Sequence, residues 1–442
     1  MGAEVPAPQR SPTSPLARRP VGRTFHPARE ESQAFPVKIL HVVPRIPFPA
    51  DSGGTLRALQ LLRALDAAFE VTVLAPDLAG GDARGLRAQL RGRVLTARES
   101  GGTPGWALSE ARGVLGGGPV GYARYAGRNL RAVFRHLLAE QAADLVHFDH
   151  VHAAQLLPDA RAVAPRARTV MDAHNVEAQV AERLSEVSRW PLSVLLRRQA
   201  AAIARLEARA VQGVDAVLSC SQLDAEVLRR AGAREVHLIP NGVELRQLPA
   251  SLEPRDTVAF VGSYDWRPNA DAAVLLAREI WPRVREACPG LRLALIGRKP
   301  PPLVQDLAAE DIEVTGRVDD VAPWLLRSFA TAMPLRVGSG TRLKVLEAAA
   351  ARVPIVATRL ASEGLPFVDG THLLHAETPK EFVDALVRLR REPGLGVRLT
   401  DAAWEVAQEH DWRRIGARLV ELYRGWNSGG ERVRPRALSS AG

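Results

Sequence analysis

Cysteine, lysine and long apolar runs are the scarce features of this 442-residue chain. With cysteine only at Cys220 and Cys288, neither a disulfide framework nor a cysteine zinc centre can be assembled. So few thiols fit a reducing compartment, and the cytoplasm is the expected location. No run of about 18 apolar residues occurs, so no membrane-spanning helix is expected. The opening stretch holds arginine and proline without an apolar core, so no secretory signal is read there. Lysine occurs four times against 55 arginines. The arginines are scattered rather than blocked, and no stretch alternates basic with aromatic residues, which speaks against a nucleic-acid surface. The net charge of +10 then reads as a solvated surface, with affinity for anionic lipid or nucleotide as the alternative.

What is present is ordinary globular material, 46% hydrophobic and 24% charged, enough for two or three domains. Residues 1–35 and 428–442, rich in Pro, Arg, Ser and Gly, are expected to be disordered tails. Between them short apolar runs alternate with helical periodicity, which predicts parallel sheets covered on both faces. The first series of strands is predicted at 37–43, 71–75, 145–149, 169–173, 216–221 and 236–240. "PNGVELRQLPASLEPRD" (240–256) reads as a linker, and a second series follows at 257–263, 292–297, 312–316, 331–335, 354–358 and 373–377. Helices are predicted at 55–68, 122–141, 191–212, 269–288, 320–328, 342–351, 378–391 and 396–425. The expected fold class is α/β, with two Rossmann-like doubly wound domains, 36–245 and 246–409, facing a cleft. A terminal helix over 410–427 would pack back on the first domain.

The stretch "PLRVGSGTRLKVLEAAAARVPIVAT" (334–358) carries the most chemistry. Thr341 reads as the N-cap of a helix beginning at Arg342, and Lys344 stands where a capping box would place Glu or Gln. Two cations at the positive end of a helix dipole are disfavoured by about 0.3–1 kcal/mol each. An anion bound there would reverse the sign, because amides and cations together hold phosphate; otherwise both side chains point into water. Glu347 shares a helical face with Lys344. It is either that lysine's surface partner or a carboxylate accepting hydroxyl protons from a ribose.

"GSGTRLKVLEAAAARVPIVAT…EGLP" resembles the donor-binding segment of the retaining glycosyltransferases of the GT-B fold, the GT4 or group 1 family. "PRIPFPADSGGTLRALQLLRAL" (44–65), "DAHNVEAQ" (172–179), "IPNGVE" (239–244) and "FVGSYDWRPNADA" (260–272) agree with it in order and spacing. The resemblance implies a nucleotide-sugar donor held by the C-terminal domain and a glycan or lipid-linked acceptor held by the N-terminal one. It implies Glu347 on the ribose, Arg267 and Lys344 facing the diphosphate, and Gly53 and Gly54 approaching it from the opposite domain. Gly340 and Thr341 belong to the same donor loop, His174 would lie near the transferred sugar, and Arg317–Val318 would border the base. Ser339 stands where many members carry a second glutamate, eight positions before Glu347. The implied catalytic group is therefore His174, Arg267 and Lys344, with no metal or other cofactor.

The resemblance further implies transfer with retention of configuration, in cell-surface polysaccharide biosynthesis. A nucleotide-sugar epimerase of the same architecture and a non-catalytic nucleotide-sugar-binding subunit are the rival readings. Two other features stand apart. "HFDHVH" brings His147 and Asp149 onto one strand face, with His150 and His152 beside them, in a spacing that fits no common zinc signature. "WPLSVLLRRQAAAIARLEARA" (190–210) is apolar on one side and basic on the other. It reads as a core-packed surface helix, with peripheral docking on an anionic membrane as the alternative.

Overall fold

In a computed structural model of the chain, residues 37–428 are described, apart from 79, 99–110, 112–114, 116, 246–254 and 339. Both expected tails, except residue 428 at the end of the last helix, most of the expected linker and Ser339 lie outside the described residues. The described segments belong to one compact unit that begins at Phe35.

Seven strands form the first sheet: β1 (Lys38–Val42), β2 (Glu70–Pro76), β3 (Arg93–Ala97), β4 (Leu145–Asp149), β5 (Arg168–Ala173), β6 (Ala216–Ser219) and β7 (Val236–Leu238). Six form the second: β8 (Thr257–Val261), β9 (Arg292–Ile296), β10 (Ile312–Gly316), β11 (Ser328–Met333), β12 (Ile355–Ala357) and β13 (Leu374–His375). The orders are β3-β2-β1-β4-β5-β6-β7 and β10-β9-β8-β11-β12-β13. Every strand pair is parallel. The central strands are buried along nearly their whole length, as the continuous apolar runs require when helices cover both faces.

Helices at Leu157–Val163, Glu177–Glu186 and Gln222–Arg230 were not expected, and four further differences bear on how the domains and the site are built. Strand β3 was not foreseen. Its sequence, RVLTA, is short and only partly buried at a sheet edge, so it lacks the apolar run that marks a central strand. The helix expected over 320–328 shrinks to Ala322–Leu326, because Ser328 already enters β11. The donor-side helix runs Leu343–Ala350, with Arg342 as its N-cap and no side-chain cap bond. Thr341 instead accepts a hydrogen bond at Oγ1 from Asn241 Nδ2, 2.7 Å.

The single helix expected over 396–425 is two, Pro393–Glu409 and Trp412–Ser428. The break is made by the crossing segment. Val243 N donates to His410 O at 2.7 Å, and Trp412 N donates to Val243 O at 3.2 Å. Gly242 lets Trp412 lie against the backbone, since a Cβ there would sit 2.7 Å from Trp412 Cδ2. The last helix then packs on the first, Gly53–Ala68. Ile415, Leu419 and Tyr423 are buried, and Gly416 admits Ala64 at close range. Each buried leucine of this kind contributes about 1.5–3 kcal/mol. A short segment at each end of the second domain thus ties it to the first.

Candidate active site

A cavity of about 750 Å³ opens at the carboxyl ends of both sheets, where doubly wound sheets bind their ligands. Its first wall is the start of the Gly53–Ala68 helix. Ser52 caps it in a capping box with Thr55, which leaves the first amides of the helix at the cavity. Gly53 and Gly54 lie close to their neighbours: a Cβ would crowd Leu343 Cδ1 at 3.2 Å and touch His174 Nδ1 at 3.4 Å. The two glycines therefore press this helix start against both His174 and the donor-side helix.

His174 follows β5 and sits between two carboxylates. Its Nε2 lies 2.9 Å from Asp149 Oδ1 and 3.3 Å from Asp172 Oδ2. Burial acts to lower its pKa, but Asp149 and Asp172 outweigh it and push it up to about 9. The ring is an imidazolium at neutral pH. Asp172 is itself fully buried and paired with Arg57, at 2.6 Å from Nη2 and 2.9 Å from Nε. Burial works against its charge, yet Arg57 and His174 hold it far below the usual carboxylate range. Arg57 also donates to Asn241 Oδ1, 3.1 Å, and Pro240 O, 3.2 Å. Through Asn241 and Thr341 this network reaches the donor-side loop.

Asp149→Asn removes one of the two carboxylates, so the His174 titration midpoint should fall by about one unit or more. Nuclear magnetic resonance of nitrogen-labelled imidazoles measures it; an unchanged midpoint would mean Asp149 does not hold that charge.

On the opposite wall Lys344 and Glu347 both line the cavity. Lys344 does not simply point into water. Its Nζ donates to Asn269 Oδ1 at 2.7 Å and stands 4.5 Å from the centre of the Phe260 ring. Burial lowers its pKa, with Glu347 opposing and Arg342 adding to the fall, to about 7. This answers how a lysine is tolerated at a helix start: much of its charge can be shed when no anion is there. Arg342 is buried, contacts the Gly340 carbonyl and lies 3.7 Å from Glu363. Arg317 and Val318, just after β10, line the same cavity.

Two of the expected residues stand differently. Gly340 (φ +70°) is not a wall residue; it brings its loop onto the His174 carbonyl, 2.8 Å from where a Cβ would stand. Arg267 is exposed at the first position of the Arg267–Leu275 helix and does not line the cavity. Arg298 lines the cavity near there instead, 3.0 Å from Asp51 and 3.5 Å from Asp265. Sequence reasoning missed Arg298, Arg57, Asp172, Asn241 and Asn269. An arginine among the leucines of the first helix was the available signal for Arg57. The others depend on which loops meet.

On the N-terminal side, His150 (φ +73°) bridges Glu177, 2.9 Å from its Nε2, and His152, 2.6 Å between the two Nδ1 atoms. Tyr125, His150, His152 and Glu177 all line the cavity. Among the described residues, two groups bring metal-ligating atoms together: His41–His147–Asp149 and Asp149–Asp172–His174. In the first, the two rings stack 4.1 Å apart at 23°, so their in-plane lone pairs run side by side rather than converge. In the second, the carboxylates are already taken by His174 and Arg57.

Residues 255–392 match the family described as glycosyl transferases group 1, and residues 52–247 match Glycosyltransferase Family 4. No curated protein matches in sequence. Among solved structures, the chain is similar to sucrose-phosphate synthase from Thermosynechococcus elongatus, at 19% identity and TM-score 0.66, covering 89% of this chain and 99% of that one. It is also similar to Anabaena HepE in complex with UDP and glucose, at 14% identity and TM-score 0.64, covering 88% and 100%. A glycosyltransferase from Rickettsia africae is similar at 12% identity and TM-score 0.62, covering 89% and 99%. At these identities the structures speak for the fold, and the two family matches, which together span most of the chain, speak for the lineage: it belongs to the group 1 glycosyltransferases of GT-B architecture.

Proposed function

We propose that the protein transfers a hexosyl group from a nucleotide-diphosphate sugar to a glycan or lipid-linked acceptor, with retention of configuration, in building a cell-surface polysaccharide. One observation carries this reading. Lys344 and Glu347, from one helix start, share a cavity with Gly53, Gly54 and the cationic His174 from the other domain. The donor's ribose hydroxyls would donate to Glu347, its base would lie at Arg317–Val318, and its diphosphate would lie between Lys344 and the first-helix amides. Thr341 and Gly340 shape the loop beneath it, and Arg267 would act only from the rim.

As the bond between the anomeric carbon and the phosphate oxygen breaks, negative charge grows on the leaving diphosphate. Cations and amides already in place stabilise it without reorganising. The acceptor oxygen bonds to the same face of the anomeric carbon, and its proton passes to the departing phosphate oxygen. His174, with Nε2 held by two aspartates, would turn its Nδ1 side to the sugar and donate to a hydroxyl or to phosphate. No step needs a metal ion.

A nucleotide-sugar panel tests the reading, beginning with uridine diphosphate sugars because the Anabaena HepE structures hold UDP and UDP-glucose. A matching donor at a hundred times its Kd should stabilise the protein by about 2.7 kcal/mol, read as a rise in Tm. Product formed with that donor should keep the anomeric configuration by nuclear magnetic resonance, and chelation should not slow it. Inverted product would refute retention, activity lost with chelator and restored by Mg²⁺ or Mn²⁺ would refute metal independence, and donor binding without any transfer would point to a binding subunit.

A further inference from the structure

We propose that the tip of the helical hairpin formed by Glu177–Glu186 and Leu192–Gly213 docks on an anionic lipid bilayer. The longer helix buries Ala202, Ile203, Glu207, Ala210 and Val211 in its second half and none of its side chains before Ala202. Its first eight residues, about 12 Å of helix, therefore carry no fully buried side chain. A solvent-facing extension of this kind is normally polar. Here it carries Leu195 at 60% exposure with Leu192 and Val194 also exposed, and the turn before it carries Trp190 at 81% and exposed Val187. Val120, likewise exposed, joins the same surface, since its backbone N–H and carbonyl pair with the Gln199 side chain at 3.1 and 3.2 Å.

The charge around this apolar tip selects the occupant. Arg189, Arg197, Arg198 and Arg205 are exposed along the longer arm and the turn, where no acidic residue occurs from 187 to 206; Glu182 and Glu186, exposed on the shorter arm, leave the tip net positive. A second copy of the chain would set these arginines against their equivalents, and like-charge juxtaposition opposes that contact. An anionic bilayer satisfies both parts. Tryptophan and leucine enter the interfacial layer, while arginines next along the helix meet the headgroups with their stems lying on apolar surface. Each arginine near such a surface gains attraction that falls off within a Debye length.

The full chain is tested by flotation with vesicles of phosphatidylcholine alone and of phosphatidylcholine with one-third phosphatidylglycerol. Binding should be at least about tenfold tighter to the anionic vesicles and should weaken with salt. Trp190→Asp with Leu195→Asp should abolish binding to both, and Arg197→Glu with Arg198→Glu should abolish the anionic preference. Both pairs are exposed, so Tm and nucleotide-sugar binding should stay as in the parent. Equal binding to the two vesicles, or binding that survives both pairs, would overturn the proposal. So would lipid-free dimerisation that Trp190→Asp abolishes, because the surface would then be an interface between copies.

Discussion

Arg57→Ala destabilises the protein by about 3–5 kcal/mol, the cost of leaving a buried carboxylate without its partner. Arg57 and Asp172 are both essentially inaccessible to water, and the pair is bidentate. The same substitution also removes the donors to Asn241 and Pro240 that hold the crossing segment. His174 remains beside Asp172 and limits the damage while it is charged. A histidine with a raised pKa contributes stability that is full below its unfolded value and is lost as pH rises through the folded value, here about 9. The variant should therefore weaken as pH rises from about 6.5 to about 9, over which Asp172 loses its second partner, and His174 should add no further loss above that. Urea unfolding across that range measures the effect. A loss under about 1 kcal/mol at neutral pH would mean His174 alone suffices for Asp172.

Lys344→Met weakens binding of a nucleotide-diphosphate sugar by roughly tenfold to a hundredfold or more, the cost of one charge-assisted contact of about 1.5–3 kcal/mol. Proton linkage adds a second, independent signature. In the free protein the lysine titrates near 7; a bound diphosphate favours its charged form and raises that value. Binding then takes up a proton, and affinity falls as pH rises above 7. The diphosphate of a nucleotide sugar has no titrating group in this range, so the uptake belongs to the protein. Calorimetry in buffers of different ionisation enthalpy counts the proton, and the count should vanish in the variant. The free variant should be more stable than the parent at neutral pH. A lysine whose pKa is depressed by folding costs stability that returns only as pH rises toward its unfolded value. A variant that is less stable yet binds the diphosphate normally would return Lys344 to a structural role.

The architecture was legible because it follows from periodicity. Twelve predicted strands coincide with observed ones, since most are short continuous apolar runs buried in a parallel sheet; β7 and β10 are only partly buried. β3 escaped because RVLTA mixes arginine and threonine with its apolar residues and buries only two of its five positions. The break at His410 and Asp411 falls where the terminal helix was expected to leave the second domain, but one helical segment was expected to run across it. The local sequence supports helix, and the break is imposed by Val243, far away in the chain.

The site divides in the same way. Lys344 and Glu347 could be named from the residues because their motif is local, a loop running into a helix start with its chemistry within a few residues; Gly53 and Gly54 were named through the family resemblance. Their wall positions in one cavity followed from two sheets turning their carboxyl ends toward each other. What the sequence by itself determined was therefore the alternation of strand and helix and the two helix starts that present amides and cations. What only the tertiary structure decided was charge: that His174 is an imidazolium, that Lys344 can shed its proton, and that Arg57 rather than Arg267 is the deeply committed arginine. The physical reason is that a pKa depends on burial and on charges within a few ångströms. In this protein those charges come from residues up to a hundred or more positions apart.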